Sequence, residues 1–116
     1  MSAQKYDFKV DVGSTTTIPL RFTDSSGTAL DMSGYTFEMQ CRQTPSSETV
    51  LFEVSSSDGI DMSAAATGWV TITISKTKTS AVAVRTGVYD LERTLGAETV
   101  RVIQGNVSFS PEVTRG

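Results

Sequence analysis

Histidine is absent from this sequence, cysteine occurs once and proline three times. Without histidine the commonest general base and metal ligand is missing, and neither a Ser-His-Asp nor a Cys-His nucleophile can be assembled. The single cysteine, Cys41, leaves no intrachain disulfide, and alone it cannot build a zinc cage. The Gly-rich phosphate loop GxxxxGK[ST] does not occur. No apolar run approaches the ~20 residues of a membrane-spanning helix, and residues 1–7, MSAQKYD, lack the apolar stretch of a secretory signal. Cationic clusters are missing too. Ten Lys and Arg are interspersed with thirteen Asp and Glu, for a net charge of −3, so binding to nucleic acid by phosphate neutralisation is not expected. These absences point away from an enzyme, a cofactor, a nucleic-acid partner and a membrane.

What remains is the composition of a globular protein: 116 residues, 38% hydrophobic and 20% charged, enough for one domain over 1–116 and too few for two well-packed ones. Its main signal is period-2 alternation, the mark of strands with one buried face. The clearest case is 35–42, with Tyr35, Phe37, Met39 and Cys41 directed inward. In that phase Cys41 is a buried small hydrophobe, in keeping with a chain made in a reducing cytosol. Residues 69–75 alternate with Val70, Ile72 and Ile74 on one face. Further strands are expected over 5–12 at an edge, 15–23, 50–54, 87–94 and 98–110. Pro19 has no N–H for a ladder, which puts the second of these at an edge or at a bulge. Leu30 and Met32 are expected to close one end of the core, and Ile60 and Met62 to pack beneath a turn at 55–59. Residues 79–83 suit one helical turn, 63–68 read as loop, and the phase of 98–110 changes as if a bulge lay near 103–105. The expected fold class is all-β: an antiparallel immunoglobulin-like β-sandwich of seven or eight short strands with one short helical turn, a small closed barrel being the alternative.

Several residues invite a functional reading. Gly87 and Tyr89 resemble a tyrosine corner, in which a Tyr hydroxyl turns back onto the backbone of the preceding corner, and Leu91 stands where an antibody domain would carry a disulfide cysteine. Tyr89 as an ordinary core aromatic is an equal reading. Trp69 is out of phase with Val70, which places it either over the sheet edge or exposed as a functional residue. Trp69, Tyr6 and Arg115 are the candidate partner contacts, with the polar termini 1–7 and 111–116 as possible docking arms. Asp24, Asp31, Asp58 and Asp61 are turn formers before they are calcium ligands. Ser/Thr runs at 15–17 and 55–57 suit assembly and a plain solvated surface equally.

A set of segments in fixed order resembles small tail-gene proteins of tailed bacteriophages and prophages. Residues 20–36, LRFTDSSGTALDMSGYT, are similar to a dxxGtpxDLTGYt segment of that family. The parallel continues in MQCR at 39–42, GWVTITIS at 68–75, GVYDL at 87–91 and GNVSFSPEVTR at 105–115, covering roughly residues 13 to 115. The resemblance implies an immunoglobulin-like sandwich that serves as a virion component, similar to the N-terminal domain of baseplate proteins that attach receptor-binding proteins. It also implies other virion proteins (tail, collar or baseplate subunits) as partners, multiple copies, and the virion as the place of residence. Residues 111–116 are not followed by a helical linker or a receptor-binding domain, which shifts the expectation from host binding toward an adaptor or decoration role. A carbohydrate- or receptor-binding module, with Trp69 and Tyr6 as stacking residues, is the alternative.

Overall fold

A computed structural model describes residues 4–111 and Val113. Among these residues nine strands run in the order β1 (Gln4–Lys5), β2 (Phe8–Asp11), β3 (Thr16–Arg21), β4 (Thr36–Arg42), β5 (Val50–Ser55), β6 (Ile60–Asp61), β7 (Trp69–Ile74), β8 (Thr86–Leu95) and β9 (Glu98–Ser110). They form two sheets. One carries β1 and β2 beside β9, then β8, β4 and β5; the other is β3-β7-β6. This is the immunoglobulin division of strands, with β3, β6 and β7 on one sheet and β4, β8 and β9 on the other. The sandwich is all-β, as the alternation implies. Nine strands replace the expected seven or eight because two pairs of residues, Gln4–Lys5 and Ile60–Asp61, form strands too short to show a period.

The facing sides of the two sheets hold a single buried cluster that includes Phe37, Met39, Cys41, Ile72, Ile74 and Leu91. The inward phase of 37–41 and 70–74 is the one expected, but Tyr35 precedes its strand and is only half-buried. Its ring lies under the Arg93 guanidinium, 4.8 Å from the centroid. Met32 is 1% exposed and closes the core, whereas Leu30 is 38% exposed and does not. Pro19 lies opposite Thr71 on the edge strand β3. Phe22 N–H donates to Gly68 C=O at the end of the same ladder, so even-numbered residues of β3 bond toward β7 and Pro19 lies where no N–H is called for.

Three features depart from the expected pattern. The sheet is not wholly antiparallel, because β1 and β2 pair with β9 in parallel. The helical turn spans Lys76–Ser80, not 79–83, since the Ser75 side chain caps it by accepting the Lys78 N–H at 3.3 Å. The bulge in β9 is one residue earlier than expected: Leu91 opposes Ile103 but Glu92 opposes Arg101, leaving Val102 as the extra residue. A second bulge at Leu51 in β5 and a 3-10 turn at Ala65–Thr67 carry no periodic signal. Thr79, the one buried polar residue among those described, ties the helical turn to the β2–β3 corner. Its hydroxyl donates to Ser14 C=O at 2.8 Å and accepts Gly13 N–H at 3.1 Å.

Candidate docking surfaces

Tyr89 is buried on β8, opposite Gly105 on β9. Its hydroxyl does not return to the preceding corner. It donates to the backbone carbonyl of Tyr6, 83 residues upstream. A regular parallel ladder accounts for the partner. Tyr6 N–H donates to Gln104 C=O at 2.9 Å, and the next bond in such a ladder would run from Asn106 N–H to Tyr6 C=O. Instead Asn106 N–H donates to the Asp7 carboxylate, Oδ1, at 2.8 Å. The side chain of Asp7 thus takes the place of a backbone carbonyl, and the released carbonyl is taken up by Tyr89. The expected single strand over 5–12 is split at Tyr6 and Asp7 for this reason. Gly105 makes the arrangement possible: a Cβ there would lie 2.2 Å from the Tyr6 carbonyl oxygen and 2.7 Å from Asp7 Oδ1. Gly87 plays a smaller part, since a Cβ there would meet Arg42 O and Cys41 Sγ at 3.0 Å.

Burial, and then the neighbouring Tyr6 and Asp7, raise the pKa of the Tyr89 hydroxyl above its ordinary value. A phenol whose folded pKa is raised contributes stability that is whole below the unfolded pKa of about 10 and fades as pH climbs through the folded value. Urea unfolding of the native chain should therefore show a midpoint that falls above about pH 10. The Tyr89→Phe chain should start about 1–2 kcal/mol less stable at neutral pH and lack the part of that fall due to this hydroxyl. Equal pH dependence in the two chains would rule the hydroxyl out as its source.

Of the candidate contact residues, Trp69 and Tyr6 do not share one surface. Trp69 opens β7, is 39% exposed, and has the Arg21 guanidinium 5.7 Å from its ring centroid. Arg21 is its directly opposed neighbour on β3. Gly68, with φ +88°, turns the chain into β7; a Cβ there would meet Phe22 O at 2.6 Å and Leu30 O at 3.2 Å. The exposed Leu30 therefore adjoins the start of β7. Tyr6, 46% exposed, stands on the other sheet and stacks on Phe8 at 6.3 Å. It borders a narrow apolar hollow with Ile18, Leu20, Tyr89 and Ile103 that does not reach Trp69. Arg115, like 1–3, 112, 114 and 116 of the two arms, lies outside the described residues.

The acidic turns are occupied by their own backbone. Asp24 accepts from Ser26 N–H and Thr28 N–H at 2.8 and 3.0 Å, and Asp31 accepts from Ser33 N–H at 2.9 Å. Asp61 accepts from Ser63 N–H at 2.8 Å, which with that side chain holds its carboxyl below the usual range. Asp58 is paired with Lys78 at 2.8 Å. Among the described residues no three His, Cys, Asp or Glu side chains gather as a metal site. A shallow groove of about 400 Å³ crosses the outer face of the larger sheet between Arg42, Asp90 and Arg101. Both arginines there serve the fold: Arg42 donates to Ser47 O and Glu48 O, and Arg101 pairs with Asp90 at 3.3 Å. Desolvation pushes the buried Cys41 thiol up to about 12, well away from a reactive thiolate.

Comparisons with known proteins bear on the fold. No protein-family model and no curated protein matches the chain. Among solved structures it is similar to the N-terminal domain of phage TP901-1 ORF48, at 10% identity and a TM-score of 0.52, over 95% of this chain and 99% of that one. It is also similar to a structure from work on multimeric cell-adhesive interactions of VGSC beta subunits, at 14% identity and a TM-score of 0.50, over 91% and 92% of the two chains. The sandwich fold is therefore shared, end to end, with a domain of a phage protein.

Proposed function

We propose that this chain is a non-enzymatic structural protein of a tailed-phage particle, an adaptor or decoration component of the tail, collar or baseplate that acts through contacts with other virion proteins. The observation that carries the reading is the match of nearly the whole chain to nearly the whole of a phage protein's N-terminal domain. The family resemblance in residues 13–115 runs parallel to it. Exposed Trp69 with Arg21 over its ring supplies a contact feature of the kind enriched in protein interfaces. Mass spectrometry of purified particles of the encoding phage should find the chain at a small multiple of three or six copies. Hundreds of copies would move it to capsid or tail tube, and absence from the particle would end the reading. Trp69→Ala should fold with a stability change of no more than about 1 kcal/mol, because the side chain is largely outside the core. It should nevertheless be depleted from particles assembled in competition with the native chain.

The alternative, a carbohydrate- or receptor-binding module, is favoured by the same tryptophan, whose face suits a sugar ring. Arg21 occupies one side of that ring and Tyr6 stands on the other sheet, so the two aromatics do not form one platform. Glycan-array binding that is lost in Trp69→Ala would establish this reading in place of the first.

A further inference from the structure

Five strands border the two sheets, and three of them, β3, β5 and β6, are blunted against pairing. On β3 the backbone groups of odd-numbered residues face outward, and Pro19 removes the middle donor. On β5 the Glu53 carbonyl is capped by Lys78 Nζ at 2.7 Å, the Ser55 N–H and C=O are bonded within the turn to Asp58, and Leu51 is bulged. The third, β6, has two residues. The remaining edge is shared by β1, which also has two residues, and β2, which has no such device among the described residues. Tyr6 N–H and Val12 N–H donate to Gln104 O and Ser110 O of β9. By alternation Phe8 and Val10 also bond toward β9, and Lys9 and Asp11 turn their N–H groups to the open side. Their side chains are 68% and 69% exposed.

We infer that this edge pairs with the β2 edge of a second copy, antiparallel about a two-fold axis at Val10. The sequence of β2 is self-complementary in one register. With Val10 opposite Val10, Lys9 of each copy lies opposite Asp11 of the other, on the outer face. On the inner face the half-buried Phe8 meets Val12 of the other copy. The outward-facing residues 9 and 11 then form the hydrogen-bonded pairs, so backbone bonds, charges and apolar side chains agree. The Asp11 carbonyl accepts Ser14 N–H at 3.0 Å and keeps a second lone pair for the new bond. Sliding the partner by two residues either way sets Lys9 against Lys9 or Asp11 against Asp11, which is destabilising. The two six-stranded sheets would become one continuous sheet. The contact is short, so it is weak alone and gains strength where copies are held side by side.

Charge reversal tests this without disturbing the core. Sedimentation of the native chain across rising concentration should show monomer passing to dimer. Lys9→Asp and Asp11→Lys, each placing like charges opposite in the symmetric pair, should each weaken self-association at least about tenfold. Mixed in equal amounts, the two variants restore opposite charges at both positions and should recover a heterodimer of native affinity. Lys9→Pro, which removes an outward donor and leaves the β9 ladder intact, should abolish pairing while thermal unfolding stays cooperative. A native chain that is monomeric at millimolar concentration overturns the inference. So does a mixture that associates no better than its separate components.

Discussion

Gly105→Ala is expected to destabilise the chain by about 3 kcal/mol, from overpacking and from the loss of a small hydrogen-bond cluster. The added Cβ would stand 2.2 Å from the Tyr6 carbonyl oxygen, and that atom is main chain, held on both sides. Relief requires the segment around Tyr6 and Asp7 to lift away from β9. Three bonds would then be given up together: Tyr6 N–H to Gln104, Tyr89 to Tyr6, and Asn106 N–H to Asp7. Because the same lift frees the Tyr89 hydroxyl, Tyr89→Phe should add little in the double variant, and the two changes should be far from additive in a denaturation cycle. Additive losses would show that the segment stays seated when Gly105 is replaced. Protection of the Tyr6 and Asn106 amides from hydrogen exchange should fall in Gly105→Ala ahead of the core strands.

Leu91→Ala is expected to cost about 2–5 kcal/mol, the range for deleting a fully buried leucine side chain where the surroundings cannot collapse. Leu91 is 0% exposed, pairs with Met39 on β4, and is in the buried cluster with Ile72 of the facing sheet. It stands at the position where an antibody domain would cross-link its sheets. Here apolar burial alone joins them at that point, since Cys41 is the one cysteine and is free. Chemical unfolding should show a lower midpoint with an unchanged slope, and reducing agent should alter neither chain. Leu91→Met, close in volume, should recover most of the loss. A loss under about 1 kcal/mol for the alanine would mean that β8 and β7 repack around the gap.

Most of the sandwich was legible where one face of a strand is buried and the other wet. Residues 36–42 and 69–74 show their period because each alternates between core and solvent. Pro19 was informative for a different reason, as its missing donor is tolerated only at a margin. The direction of β1 and β2 was not legible, because alternation is the same in parallel and antiparallel pairs. Nor was the partner of Tyr89. A hydroxyl bond across 83 residues leaves no local pattern, and Asp7 looks like any polar residue beside a strand. Gly105 did leave a trace. A glycine inside an apolar strand marks either a bulge or a close approach of another backbone; the bulge is at Val102, and the close approach is at Gly105. The phase of Trp69 left a place over the sheet edge and an exposed one both open, and its arginine neighbour depends on the β3–β7 register.

The pairing of β1 and β2 with β9 bears on when the chain can fold. Asp7 and Asn106 are joined across 99 residues, and the four described residues of β2 lean on 107–110 of β9. Contacts that distant are made late, because the loop between them must be ordered first. During synthesis the N-terminal strands would leave the ribosome with no partner and wait for nearly the whole remaining sequence. In that interval Tyr6, Phe8, Val10 and Val12 are an unpaired apolar strand, the kind of segment that other chains can capture. Refolding should accordingly end with a slow step in which protection appears at the β2 and β9 amides after that of β4 and β8.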